Sequence, residues 1–380
     1  MFRSTITKSR LGLSFGPFSV FIALFLAVSA HVMAQESGDT VKPEKLFESG
    51  ETLELQLTGP WQEVVRDRDF QGAYPARMEY EDELDNLVTI DLSAGRRGVT
   101  RQRVCRIPPL RLRFEKGAAK GTVFRGQESL KMVTHCQKSS KYEQYYILEM
   151  LAYQMYNLLT DYSFRVRPLS VTYFQAEKDD TADSGYSLSK KEESAGPVFA
   201  FLIEDDKDVA NRHDLDKLNV PRIKPQQLDS YEAALLALFQ YMISNVDWAA
   251  LSGPDPSGCC HNVKLIGPEP TKPEDTLYAI PYDFDSSGLV NSEYASPPQN
   301  LPVRSVTQRL YRGYCAHNPS LEGARQKMLA TEQEIYALVN AESRLEPGRQ
   351  KKAVKYLEGF FKIIKDDKAF QKRIVEKCRG

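Results

Sequence analysis

Residues 140–161, SKYEQYYILEMLAYQMYNLLTD, mark the point where the chain changes period. Ile147, Leu148, Leu151, Met155, Leu158 and Leu159 fall on one helical stripe. Upstream the pattern has period two, which is the signature of half-buried strands. Leu53, Leu55 and Leu57 alternate with Glu54 and Gln56; Leu110, Leu112 and Phe114 alternate with Arg111 and Arg113; Leu130 and Met132 flank Lys131. Residues 91–100 (DLSAGRRGVT) read as a glycine-bearing loop. Downstream, a strand is expected over 165–173 and a buried one over 197–204 (PVFAFLIE), with polar residues 176–196 as a mobile insertion between them. After Glu204 the pattern turns helical. Asp229-Ser230 can cap YEAALLALFQYMISN, short strands are expected at 262–266 and 277–282, and helices over roughly 303–315, 320–343 and 348–378. The expected class is α+β: a β-rich half with one long helix over 51–204, and a mainly helical half over 205–380.

The 380 residues carry 50 Lys+Arg against 51 Asp+Glu, a formal charge of −1. That balance excludes a basic nucleic-acid-binding coat and a polyanionic tail. With 42% hydrophobic and 27% charged residues the chain is globular, and at ~150 residues per domain its length suggests roughly two domains. Residues 1–34 have the form of a secretory signal: Arg3, Lys8 and Arg10, then an apolar run, then Val32-Met33-Ala34 as the cleavage site. Polar residues 35–50 read as a tether. These features predict an extracytoplasmic protein, periplasmic or secreted, with no membrane span after signal cleavage, since no later stretch approaches ~18 apolar residues.

Export gives the six cysteines, at 105, 136, 259, 260, 315 and 378, a disulfide reading whose connectivity the sequence leaves open. Cys105–Cys136 is a candidate, because both flank strands of the β-rich half. Cys259 and Cys260, being adjacent, are expected to bond elsewhere. A zinc site lacks the ligand spacing it needs.

The densest chemistry lies in residues 244–288. Asp247 follows an apolar helix, His261-Asn262 opens a short strand, and Asp283-Phe284-Asp285 ends the next. That ordering can place oxygen ligands at one end of a hairpin. Mg²⁺ takes such ligands together with phosphate oxygens, and phosphoryl transfer needs a further carboxylate to orient the attacking hydroxyl. The plainer readings are that Asp283 and Asp285 form Asx turns into Ser286-Ser287-Gly288, that Asp247 shapes a local turn, that Lys131 is a solvated strand residue, and that His261 is structural. Gly95-Arg96-Arg97-Gly98 reads as a surface turn or as a cover for phosphates. P-loop, dinucleotide-binding and HExxH motifs are absent.

Val246-Asp247-Trp248, His261-Asn262 and Pro281-Tyr282-Asp283-Phe284-Asp285 resemble the catalytic segment of the spore-coat CotH family of atypical protein kinases. The resemblance covers about residues 100–375, is specific only over 244–288, and departs from the family pattern in the long loop 249–260. It implies a bilobal protein-kinase-like fold, ATP and Mg²⁺ (or Mn²⁺) as cofactors, and a protein substrate with a Ser or Thr hydroxyl. It further implies Asp247 as catalytic base, Asn262, Asp283 and Asp285 as metal ligands, Lys131 on the phosphates paired with Glu149, and Glu204 beside the adenine. Two other classes fit less of the pattern. A secreted pseudokinase or surface-assembly scaffold would keep the fold without catalysis. A metal-dependent phosphoesterase would leave Lys131 and Glu149 without a role.

Overall fold

In the computed structural model the described residues are 45–68, 70–254 and 258–380. The expected signal peptide and most of the tether lie outside them. The end of the tether does not behave as one. Leu46 is buried with the barrel core, and Arg167 donates to the carbonyls of Leu46 (3.2 Å) and Ser49 (3.0 Å).

Seven strands form a closed barrel: β1 (Leu53–Gly59), β2 (Ala73–Glu81), β3 (Leu87–Arg96), β4 (Leu110–Phe114), β5 (Ser129–Val133), β6 (Val166–Lys178) and β7 (Tyr186–Ile203). Their order is β1-β2-β3-β4-β5-β7-β6, and the parallel pairing of β1 with β6, from Leu53↔Leu169 to Gly59↔Gln175, shuts the ring. Alternate residues point inward and fill the interior, among them Leu55 and Leu57, Met78, Leu110 and Leu112, Leu130 and Met132, Leu169 and Val171, and Leu202. A barrel this narrow is packed rather than hollow.

Two short helices sit on barrel connections, α1 (Trp61–Arg66) and α2 (Thr100–Val104). The long α3 (Ser140–Asn157) is buried almost all round, not along one stripe. Tyr145, Tyr146, Tyr153 and Tyr156 fill the faces that Ile147, Leu148 and Leu151 do not. A helix apolar on every side must be enclosed. Here α3 lies between the outer face of β5 and β7 (Val133, Phe199, Phe201, Ile203) and α5 (Ser230–Ile243), where Tyr156 meets Phe239 at 4.7 Å.

After the barrel come α4 (Asp206–Arg212), a three-stranded sheet of order β10-β9-β8 built from β8 (Asp216–Leu218), β9 (Val263–Gly267) and β10 (Tyr278–Pro281), and four further helices. These are α6 (Asn318–Ala330), α7 (Glu332–Ala341), α8 (Pro347–Lys365) and α9 (Asp367–Arg373). Among the described residues no helix is long and apolar enough to cross a membrane.

The expected bilobal kinase-like fold is overturned. Nine helices accompany a closed seven-stranded barrel among the described residues, and α3 belongs to a core shared with the later helices. Period-two alternation finds strands but carries nothing about which edges meet, and the β1–β6 pairing joins segments more than a hundred residues apart. Three local readings also change. Residues 176–196 are not a loose insertion but extend β6 and β7 into a long hairpin turning at 179–185. Residues 91–96 continue β3, and only 97–99 form the connection to α2. Residues 303–314 lack helix, while the helices expected over 320–343 and 348–378 each break once. The second break is capped by Asp366, whose side chain accepts from the Ala369 amide (2.7 Å).

The six cysteines pair as Cys105–Cys136, Cys259–Cys260 and Cys315–Cys378. The first is the candidate pair. The second is a correction, since the adjacent cysteines bond each other. Three disulfides suit an oxidising compartment.

Candidate functional site

The site begins where α5 stops. Asp229 caps the helix start by accepting from the Glu232 amide (2.9 Å), and Ser244 ends it in the left-handed region with φ 53°. The chain then turns through Asn245, whose Oδ1 accepts from the Asp247 amide (3.0 Å). The long loop after Asp247 does not carry Asn262 away. Ala249 and His261 exchange backbone hydrogen bonds (2.9 and 3.0 Å), which closes the loop on itself and returns His261-Asn262 to Asp247.

Asp247 is then held from two sides. His261 Nε2 lies 2.8 Å from its Oδ1, and Asn262 Nδ2 donates to its backbone carbonyl (2.7 Å) and its Oδ2 (3.2 Å). Asn262 spends its NH₂ on Asp247, so its amide oxygen is the acceptor left over. The carboxylate remains reachable: the side chains of Asp247 and His261 are 36% and 40% exposed.

On the neighbouring strand, Tyr282 donates its amide to the Asn262 carbonyl (3.1 Å), which sets Asp283 beside this pair. Asn262 and Asp283 both adopt positive φ (52° and 63°), which these short polar side chains tolerate. The turn after Asp283 is pinned to the end of α5. Gly288 donates to the Ser244 carbonyl (3.1 Å), and a Cβ at Gly288 would stand 2.6 Å from the Val306 carbonyl oxygen. Burial pushes the Asp283 carboxyl up to about 6. The charge of Asp285 adds to the rise, and Arg101 and Arg97 oppose it.

Beneath this layer runs a buried charge chain. Arg101, on α2, donates from Nε to Asp285 (2.8 Å) and from Nη2 to Glu149 on α3 (2.5 Å). All three residues are buried. Burial pushes the Glu149 carboxyl up to about 8, against the pull of Arg101. The Cys105–Cys136 disulfide anchors the end of α2 and so the helix that carries Arg101.

The expected Lys131–Glu149 pair does not form. Lys131 Nζ lies 3.0 Å from Asp206 at the start of α4, with Lys217 on the other carboxylate oxygen (2.9 Å). Burial opposes ionisation of Asp206, but the two ammonium groups outweigh it and hold its carboxyl well below the usual range. The Lys131 ammonium also stands 5.6 Å from the Tyr282 ring, one residue from Asp283. Arg97 lies near enough to Lys131, Tyr282 and Asp283 for its charge to act on all three.

Asp247, Asn262 and Asp283 are thus brought together, Lys131 flanks them, and Asp285 and Glu149 are engaged by Arg101. The carboxylate of Glu204, just after β7, is taken up by Arg212 and by the Arg165 amide (3.0 Å). Among the described residues no group of three or more His, Cys, Asp or Glu side chains is placed to hold a metal. The Asp283 carboxylate, the Asn262 amide oxygen and Asp285 Oδ1, which Arg101 does not bond, are oxygens a divalent ion could use, and such a shell is completed by water and phosphate, as Mg²⁺ commonly accepts.

Sequence reasoning missed Arg101, Asp206 and the His261–Asp247 contact. Arg101 follows a glycine-bearing stretch with no spacing signal towards Glu149 or Asp285. Asp206 sits in Asp205-Asp206-Lys207-Asp208, which reads as a solvated turn.

The His261–Asp247 bond has a direct test. The hydrogen bond to Asp247 is the main cause that raises the imidazole pKa, against burial. A raised histidine pKa adds stability that is complete below the unfolded value and is lost as pH rises through the folded value. In an NMR titration His261 is therefore expected to titrate above ~6.5 and to fall back towards it in Asp247→Asn. An unchanged pKa in that variant would mean the bond does not form in solution.

No protein-family model matches the chain, and no curated protein matches it.

Proposed function

We propose that the chain is an exported phosphoryl transferase that uses ATP and Mg²⁺ to phosphorylate Ser or Thr hydroxyls of proteins. The observation that carries this reading is the juxtaposition of Asp247, Asn262 and Asp283 at one end of the β9–β10 hairpin, with Asn262 bonded to Asp247. The local resemblance of residues 244–288 to the CotH catalytic segment supports it.

In this reading Asp247 orients the acceptor hydroxyl and takes up its proton, held in aim by Asn245, His261 and Asn262. Asp283 and the Asn262 amide would hold Mg²⁺, which supplies charge neutralisation on the phosphates when bound. Arg97 and Lys131, near Asp283, offer cations to phosphate oxygens. Arg101 restrains Asp285 and Glu149, so Asp283 is the main carboxylate for the ion, with Asp285 Oδ1 beside it. Rate acceleration would come from positioning and electrostatics, with no covalent intermediate on the protein.

One observation favours a non-catalytic assembly protein instead: Asp285, the second acidic residue of the turn, is engaged by Arg101. The signal-like residues 1–34 and the disulfides support export. The test is Mg²⁺-dependent transfer of label from γ-labelled ATP to dephosphorylated casein. Phosphate release without acceptor label would replace transfer by hydrolysis, and neither product would leave the assembly reading.

A further inference from the structure

A cavity of about 570 Å³ opens at one rim of the barrel, far along the chain from residues 244–288. It lies where β1 runs into α1, β4 begins and β5 gives way to α3. The barrel interior is filled by side chains, so a ligand has to bind outside it, and a barrel mouth such as this is a common place for one. Its volume falls within the range that encloses a small molecule.

The walls are mixed in a directional way. Trp61, Ile107, Val198 and Phe199 make the apolar part. Arg106 and Lys138 stand exposed at the opening, and among the described residues neither has an acidic partner in an ion pair. Glu143 is the one carboxylate in the lining, and burial pushes its carboxyl up, towards the neutral form. His135 sits between the two zones, against the Tyr173 ring at 5.2 Å. Its Nδ1 is enclosed with no hydrogen-bond partner and is out of reach of a molecule in the cavity. Burial, together with the charge of Arg106, pushes this imidazole down to about 4, so near neutral pH it is an uncharged hydrogen-bonding group.

We propose that this cavity binds a small amphiphilic carboxylate, its apolar body against Trp61, Ile107, Val198 and Phe199 and its carboxylate at the mouth between Arg106 and Lys138, with His135 between the two zones. The site shares no residue with the candidate phosphoryl-transfer site, so either assignment can fail without the other.

Calorimetric titration of the full chain with decanoate, below its micellar concentration, tests it. One decanoate is expected to bind per chain. Arg106→Ala with Lys138→Ala should weaken decanoate at least tenfold while moving 1-decanol less than twofold, and Val198→Trp, which fills the cavity, should abolish binding of both. The far-UV circular dichroism and thermal midpoint of each variant are measured beside those of the parent, so that loss of fold is told apart from loss of binding. Absent decanoate binding, equal binding of decyltrimethylammonium, or unchanged decanoate affinity in the double variant or in Val198→Trp would overturn the assignment.

Discussion

Replacing Asp247 by Asn is expected to lower acceptor phosphorylation by ~10²–10⁴-fold, the range for loss of a positioned general base. The change is nearly isosteric and the group is part-exposed, so no cavity forms and folding is barely touched. Asn also keeps an oxygen that can accept from Asn262, so the loop from 249 to 261 should still close. ATP affinity should stay within about threefold, because Asp247 acts on the hydroxyl and not on the phosphates. The measurement is a steady-state transfer assay beside equilibrium binding of ATP. Equal label transfer by wild type and variant would remove Asp247 from the chemistry, and a matching loss of ATP affinity would place it on the nucleotide instead.

The second large effect concerns stability. Arg101→Ala removes the guanidinium that bonds both Glu149 and Asp285, and leaves two buried carboxylates beside Asp283. Breaking a buried ion pair from one side costs up to about 3–5 kcal/mol, and Glu149, whose carboxyl burial pushes up to about 8, meets part of that by holding a proton at pH 7. Chemical denaturation should report a loss of that size at pH 7. Arg101→Met combined with Glu149→Met should recover much of it, since an apolar pair of similar volume strands one acid fewer. A loss under about 0.5 kcal/mol for Arg101→Ala would show that the charge chain is hydrated or open in solution.

Much of the local structure was legible in the sequence, and the reasons are physical. Leu110–Phe114 and Leu53–Leu57 alternate because one face of each strand fills the barrel, and alternation is what burial of one face demands. Asp229 announces α5 because only a few side chains can satisfy the free amides of a first turn. Closure of the barrel was not legible. It depends on β1 meeting β6 edge to edge, and backbone hydrogen bonds leave no residue-specific mark. The all-round burial of α3 was likewise hidden, because tyrosines such as Tyr145 and Tyr153 read equally well as surface or core.

The candidate site shows the same division. Asp247, Asn262 and Asp283 were found because strand ends and loops have sequence punctuation, and the hairpin register then brings them together. The cation partners were assigned wrongly, since a lysine on a strand and a glutamate on a helix carry no sign of which opposite charge they will face. Lys131 found Asp206, and Glu149 found Arg101. The adjacent Cys259 and Cys260 misled for a different reason. Adjacency in sequence argues against a bond that the loop geometry accommodates.

The most direct test of the central claim is transfer of label from γ-labelled ATP to dephosphorylated casein by wild type and Asp283→Ala, each with Mg²⁺ and with a chelator. The account predicts acid-stable label on the acceptor for wild type with Mg²⁺ only, and none for Asp283→Ala under either condition. Label from wild type that persists in chelator, label from Asp283→Ala equal to wild type, or no label from wild type with Mg²⁺ or Mn²⁺ at millimolar ATP would contradict it.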